Sequence, residues 1–126
     1  MNNNNYLEES SRTAASDYPS IEMRMKGDKM VDLLHAGIGL ATESGEFLDA
    51  LKKTIYYGKV LDEVNLAEEL GDLLWYIALA LRASDTDFDE QMQINIDKLK
   101  ARFPDKFTEY HAENRNLEAE RKILEG

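Results

Sequence analysis

Along most of the chain apolar residues recur every three or four positions, and the two-residue alternation of a half-buried strand is almost absent. That period predicts α-helix. The chain therefore reads as all-α, an antiparallel helical bundle of four to five helices in one domain over residues 1–126. A first helix over about Asn3 to Ala15 is weakly amphipathic through Tyr6, Leu7 and Ala14. Asp17 to Gly27, with Pro19 and Gly27, reads as a connector or poorly ordered loop, its Met23 and Met25 packing or staying mobile. A long helix from Asp28 to Tyr57, stopped by Gly58, carries Leu33, Leu40, Phe47, Leu51 and Ile55 on one face. The next runs from Asp62 to about Ala83, with Leu66, Leu70, Leu73, Leu74, Ile77 and Leu81 as its stripe. A fourth starts at Thr86 or Asp87, carries Phe88, Met92, Ile96, Leu99 and Phe103, and ends at Pro104. The tail from Asn114 to Leu124 reads as a short charged helix.

Composition narrows the function. There is no cysteine, which removes disulfides and thiolate metal sites and suits a cytoplasmic protein. The longest apolar run, Leu73 to Leu81, falls far short of the roughly 20 residues that span a bilayer. The polar start from Met1 to Asn5 shows no signal peptide. With 25 Asp and Glu against 15 Lys and Arg, the net charge is -10. That balance disfavours a nucleic-acid polymer or an anionic membrane as partner, since both need clustered cations. A polyanion handled by this chain has to come in with a divalent cation.

The two long helices carry nearly the same acidic motif. One holds Glu43-Ser44-Gly45-Glu46 and the other Glu69-Leu70-Gly71-Asp72. At about 100° per residue, with Glu43 and Glu69 set to zero, the second acid lies near -60° on both helices. The apolar stripe lies at roughly +40° to +140° on both, with Phe47 and Leu73 in equivalent places. Both pairs thus border the core on the same side, and antiparallel packing brings four carboxylates together. Such a group repels itself unless it takes up protons or a cation. A hard ion such as Mg²⁺ answers this, with oxygen ligands from the protein and the rest from water and phosphate. One acid pair at this spacing is ordinary on a solvated face. Two of the same form, each with a glycine that costs about 1 kcal/mol in mid-helix, are not. Gly45 and Gly71 are expected to face something bulky, a neighbouring helix or a ligand. Asp49 and Glu68 point away from the stripe and are expected to be solvent residues.

On the fourth helix Asn95, Lys98 and Arg102 follow i, i+3, i+7. They read either as phosphate donors or as a solvated edge with ion pairs along the helix. Other nucleotide and metal chemistries fail on their motifs. Gly58-Lys59 is followed by Val60, so no phosphate-binding loop of that type exists. Gly37-Ile38-Gly39 lacks a third glycine and a preceding strand. A di-iron bundle wants two Glu-x-x-His motifs, and only Asp32-x-x-His35 comes close. Two histidines and no cysteine leave little for zinc.

Taken together, Glu43-x-x-Glu46, 22 intervening residues and Glu69-x-x-Asp72 resemble the metal motif of MazG-like nucleotide pyrophosphohydrolases, in the all-α NTP pyrophosphatase superfamily. Three ordered blocks extend the likeness: His35-Ala36 with Gly39 to Glu46, Asn65 to Tyr76, and Asn95-x-x-Lys98-Leu99-x-x-Arg102-Phe103-Pro104. The resemblance covers about residues 30–108, with Phe103 where many relatives have Tyr. It implies hydrolysis of a nucleoside triphosphate between the α and β phosphates, with Mg²⁺ or Mn²⁺ as a substitute. By position, Glu43, Glu46, Glu69 and Asp72 would ligate metal, and Glu46 would orient or deprotonate the attacking water. Asn95, Lys98 and Arg102 would contact phosphate. His35, Trp75, Tyr76 or a partner-chain residue would recognise base and ribose, although His35 as a core-edge donor and Trp75 and Tyr76 as interface packing are equally open. The likeness further implies a homodimer or homotetramer (a dimer of dimers). dUTPase-like, dCTPase-like and phosphoribosyl-ATP activities share the four acids, and a non-catalytic Mg²⁺- or nucleotide-binding oligomer is the rival from another class.

Overall fold

The computed structural model describes residues 2–126; Met1, which begins the polar start considered above, lies outside them. Among the described residues there are seven helices and no strand, so the chain is all-α. They are α1 (Asn3–Ser11), α2 (Tyr18–Met25), α3 (Asp28–Tyr57), α4 (Glu63–Ala83), α5 (Phe88–Arg102), α6 (Glu109–Glu113) and α7 (Leu117–Glu125). Capping residues fix the starts of α4 and α5 and the end of α3, while α3 begins at Asp28 after Gly27, with no side-chain cap. Asp62 accepts a hydrogen bond from the Asn65 amide at 3.1 Å and starts α4, and Asp87 does the same for the Glu90 amide at 2.9 Å and starts α5. Gly58 takes a left-handed conformation (φ 69°), which lets the Lys59 amide reach back to the Lys53 carbonyl at 3.1 Å and close α3.

Two short helices correct the sequence reading, and the first helix ends earlier than expected, at Ser11. The segment expected to be a connector holds α2, because Pro19 sits in its first turn, where a missing N–H costs nothing, and Asp17 caps it. Thr108 caps α6, accepting from the His111 amide at 3.0 Å. Neither helix is long enough to show a period of its own.

α3 and α4 pack antiparallel: Gly39 lies against Tyr76, and Glu46 lies across from Glu69. The predicted stripe is buried on one side only. Leu33, Leu40, Phe47 and Leu51 of α3 and Leu66, Leu73 and Ile77 of α4 are half-buried. Ile55, Leu70 and Leu74, which complete the expected face at roughly +100° to +140°, are exposed at 68%, 51% and 55%. The buried line instead runs through Ala36, Gly39, Glu69 and Leu79, at roughly +20° to -80°. Glu43 and Glu69 therefore stand in the contact between the two helices, with Glu46 and Asp72 exposed at its edge. Phe88, Met92 and Ile96, three of the apolar positions read on α5, are exposed.

α5 packs chiefly on α7. Their contact is built on Glu120, 3% exposed, which accepts from Arg102 Nε at 2.7 Å and Nη2 at 2.6 Å and from Arg115 Nε at 3.1 Å. The Arg115 hydrogen bond first, and then Arg102, hold the Glu120 carboxyl below the ordinary carboxylate range, against burial, which pushes it up.

Candidate metal centre

The α3–α4 register brings Glu43, Glu69 and Asp72 together, with one carboxylate oxygen from each within 4.8 Å of the others. Helical spacing puts Glu69 and Asp72 on one side of α4, one turn apart, opposite Glu43 on α3. Glu46, one turn along α3, lies outside this trio but lines a cleft with Glu69 and adds its charge to Glu69.

Glu69 is buried, and its Oε2 and that of Glu43 have no hydrogen-bond partner. A buried carboxylate oxygen without a donor is costly. Burial, followed by the neighbouring carboxyls of Glu43 and Glu46, pushes Glu69 up to about 7. Unpartnered, purely carboxylate oxygens at this spacing fit a hard divalent cation and offer nothing to a soft one. Glu43, Glu69, Asp72 and, from the edge, Glu46 are the residues able to hold it.

This has a consequence for stability. Glu69 carries a proton to about pH 7 in the folded protein and to about 4.5 when unfolded. A raised carboxyl pKa stabilises the fold below the unfolded value, and that stability is lost as pH rises through the folded one. A divalent cation held there would take the proton's place. Thermal melts with and without Mg²⁺ should show a larger rise in Tm at about pH 8 than at about pH 5. An equal rise at both would contradict the placement of the cation on Glu69.

The remaining expected site residues fall in two places. His35, Trp75 and Tyr76 form an edge-to-face trio, with ring centroids 6.2 Å (His35–Trp75), 5.6 Å (His35–Tyr76) and 5.0 Å (Trp75–Tyr76) apart. Asn95 is exposed and Lys98 half-buried on α5, and neither lines the acid cleft. Arg102 is committed to Glu120, so its ion pairing crosses to α7 instead of running along its own helix. Of the two acids expected to be solvent residues, Glu68 is exposed, but Asp49 lines the cleft and pairs with Lys53 at 2.8 Å and Lys52 at 3.3 Å.

The glycines also divide differently from the expectation. A Cβ on Gly45 or Gly71 would meet nothing of this chain within 4 Å, whereas one on Gly39 would fall 2.2 Å from the Tyr76 ring. The close approach is at Gly39, one turn before Glu43. Its signal in the sequence was Tyr76, one turn after Asp72 on the antiparallel helix.

The sequence profile of the MazG nucleotide pyrophosphohydrolase domain matches residues 35–107. The chain belongs to that family. The matched span takes in all four acids, the aromatic trio and α5, and leaves α7 outside the MazG domain. No curated protein and no solved structure matches the chain. No helix among the described residues is long and apolar enough to cross a membrane.

Proposed function

We propose that this MazG-family chain is a Mg²⁺-dependent nucleoside triphosphate pyrophosphohydrolase that cleaves between the α and β phosphates to give monophosphate and pyrophosphate. The observation that carries this is the unpartnered, buried pair of carboxylate oxygens on Glu43 of α3 and Glu69 of α4, with Asp72 of α4 beside them. A divalent cation bound there supplies positive charge against the phosphates and makes a water more acidic. Glu46 is exposed at the edge of the same cleft, so its carboxylate is placed to orient the attacking water and accept its proton. That water's oxygen bonds to the α phosphorus as the bond to the α–β bridging oxygen breaks, and pyrophosphate departs. Asn95, Lys98 and Arg102 remain phosphate contacts in this reading, and His35, Trp75 and Tyr76 the base-facing group.

The working unit is a homodimer or larger. Ala36 and Leu79 are the buried hydrophobic residues among the described ones, while Leu48, Ile55, Tyr56 and Leu74 stay 55–77% exposed. Apolar surface on this scale marks an interface. Sedimentation at micromolar concentration should give at least twice the 14.4 kDa chain mass. A monomer that is fully active would overturn this.

Turnover tests the activity. Purified protein with Mg²⁺ and a panel of normal and modified ribo- and deoxyribonucleoside triphosphates should release pyrophosphate and monophosphate. Mg²⁺ binding with no release from any of them would favour a non-catalytic nucleotide-binding oligomer. Release of inorganic phosphate with diphosphate would contradict α–β cleavage. Confinement to dUTP, dCTP or phosphoribosyl-ATP would place the chain among the narrower members of the superfamily.

A further inference from the structure

Past the acids, the groove between α3 and α4 opens into a cleft of about 360 Å³ under the Gly58 turn. Glu46 and Glu69 line its inner end, and Lys53, Lys59, Thr54 and Asn65 line the rest together with two further carboxylates, Asp49, which is paired with Lys53, and Asp62, which caps α4. The left-handed Gly58 and the Lys59-to-Lys53 backbone hydrogen bond fix the two lysines at the same helix end. Lys53 gives one of its three N–H donors to Asp49, and none of the ion pairs among the described residues involves Lys59. No aromatic side chain lines this cleft. The aromatic trio lies on the other side of the acids, with His35 two turns before Glu43 on α3.

Along α3, then, the order is aromatic, acid, lysine. His35 and Glu43 are separated by a rise of about 12 Å, and Glu46 and Lys53 by about 10 Å. A nucleoside triphosphate has the same order: a flat base, the phosphates that share a cation, and a highly charged terminal end. A polar cleft whose cations have donors to spare suits that last part. Arg102, the strongest phosphate donor expected from the sequence, already has two of its nitrogens on Glu120.

We infer that Lys53 and Lys59 bind the departing pyrophosphate, so that the substrate lies along the α3–α4 groove with its terminal phosphates toward the Gly58 turn. This rests on the pyrophosphohydrolase reading and assigns it a leaving-group site and a direction. The lysines offset negative charge that accumulates on the leaving group as the α–β bond breaks. Asp49 holds Lys53 in place until phosphate competes for it.

Calorimetric binding of magnesium pyrophosphate tests this, and it needs no turnover. Lys53→Gln and Lys59→Gln should each weaken pyrophosphate binding about 10-fold, the effect of losing one charge-assisted hydrogen bond. Binding of Mg²⁺ alone and of the nucleoside monophosphate should stay unchanged in both. Lys52→Gln is the control, since Lys52 shares Asp49 but does not line the cleft, and should bind pyrophosphate normally. Asp49→Asn keeps both lysines, removes a competing carboxylate and should tighten pyrophosphate binding, so the inference stays testable if a lysine variant misfolds. Unchanged pyrophosphate affinity in the Lys53→Gln/Lys59→Gln double variant would overturn it, as would an equal loss of monophosphate. A wild-type protein that binds magnesium pyrophosphate but releases none from any triphosphate would refute the activity and leave the binding site standing.

Discussion

Glu46→Gln and Asp72→Asn are each expected to lower turnover about 10³-fold, while helix content and oligomer size stay as in the wild type. Both side chains are exposed, so the changes remove charge and proton-accepting capacity without opening a cavity. They act at different points. Asp72 belongs to the close acid trio, so its variant should lose Mg²⁺ affinity together with rate. Glu46 stands outside the trio, and its variant should keep most of its Mg²⁺ affinity and lose kcat. Glu69→Gln offers a contrast, since it removes a buried carboxyl that sits uncomfortably without a cation. It should be inactive yet melt higher than wild type at about pH 8 in the absence of Mg²⁺. The measurements are steady-state pyrophosphate release, Mg²⁺ titration and circular dichroism. Near-full activity in either Glu46→Gln or Asp72→Asn would remove that residue from the site.

The second large effect is on folding. Gly39→Ala puts a methyl group 2.2 Å from Tyr76 Cδ1 and Cε1, inside any real contact distance. Alanine in mid-helix normally gains about 1 kcal/mol over glycine. Here the ring must leave its place against α3, and overpacking of this kind costs roughly 1–3 kcal/mol or more. A net loss of about 2 kcal/mol, or a fall in Tm of about 8 °C, is the expected outcome. Gly37→Ala, with nothing within 4 Å, is the control and should melt no lower than wild type. Shortening the ring in a Gly39→Ala/Tyr76→Ala double variant should cost less than the two single changes added together. Additive costs would mean that the two residues do not touch. Because Tyr76 also packs on His35 and Trp75, tryptophan fluorescence should shift in Gly39→Ala.

The sequence showed those parts of the fold that have local causes. Asp62, Asp87 and Gly58 are caps that need only their own helix, and they put the ends of α3, α4 and α5 within a residue or so of where they are observed. The acid motif was readable for the same reason, since i, i+3 spacing on a helix is geometry already contained in the chain. What depended on register was not. Ile55, Leu70 and Leu74 belong to the apolar stripe by period, but α3 and α4 meet along the Gly39 line and leave them outside. Asp49 was read as a solvent residue because its partners, Lys52 and Lys53, give no sign of the cleft that forms only when the Gly58 turn folds back. The role of Glu120 lay beyond any local pattern, since its partner Arg102 is 18 residues away.

That last contact bears on how the protein can be trimmed. The family match stops at residue 107, between Arg102 and the carboxylate that holds it. A fragment cut to the match keeps every acid and every aromatic of the site but strips the end of α5 of Glu120, and with it the Arg115 that pairs with Glu120. Its Arg102 would be a loose cation at the end of a helix that has lost its main packing partner. Expression boundaries for structural or enzymatic work on this chain therefore belong after Glu125, and the last helix should be treated as part of the domain's framework.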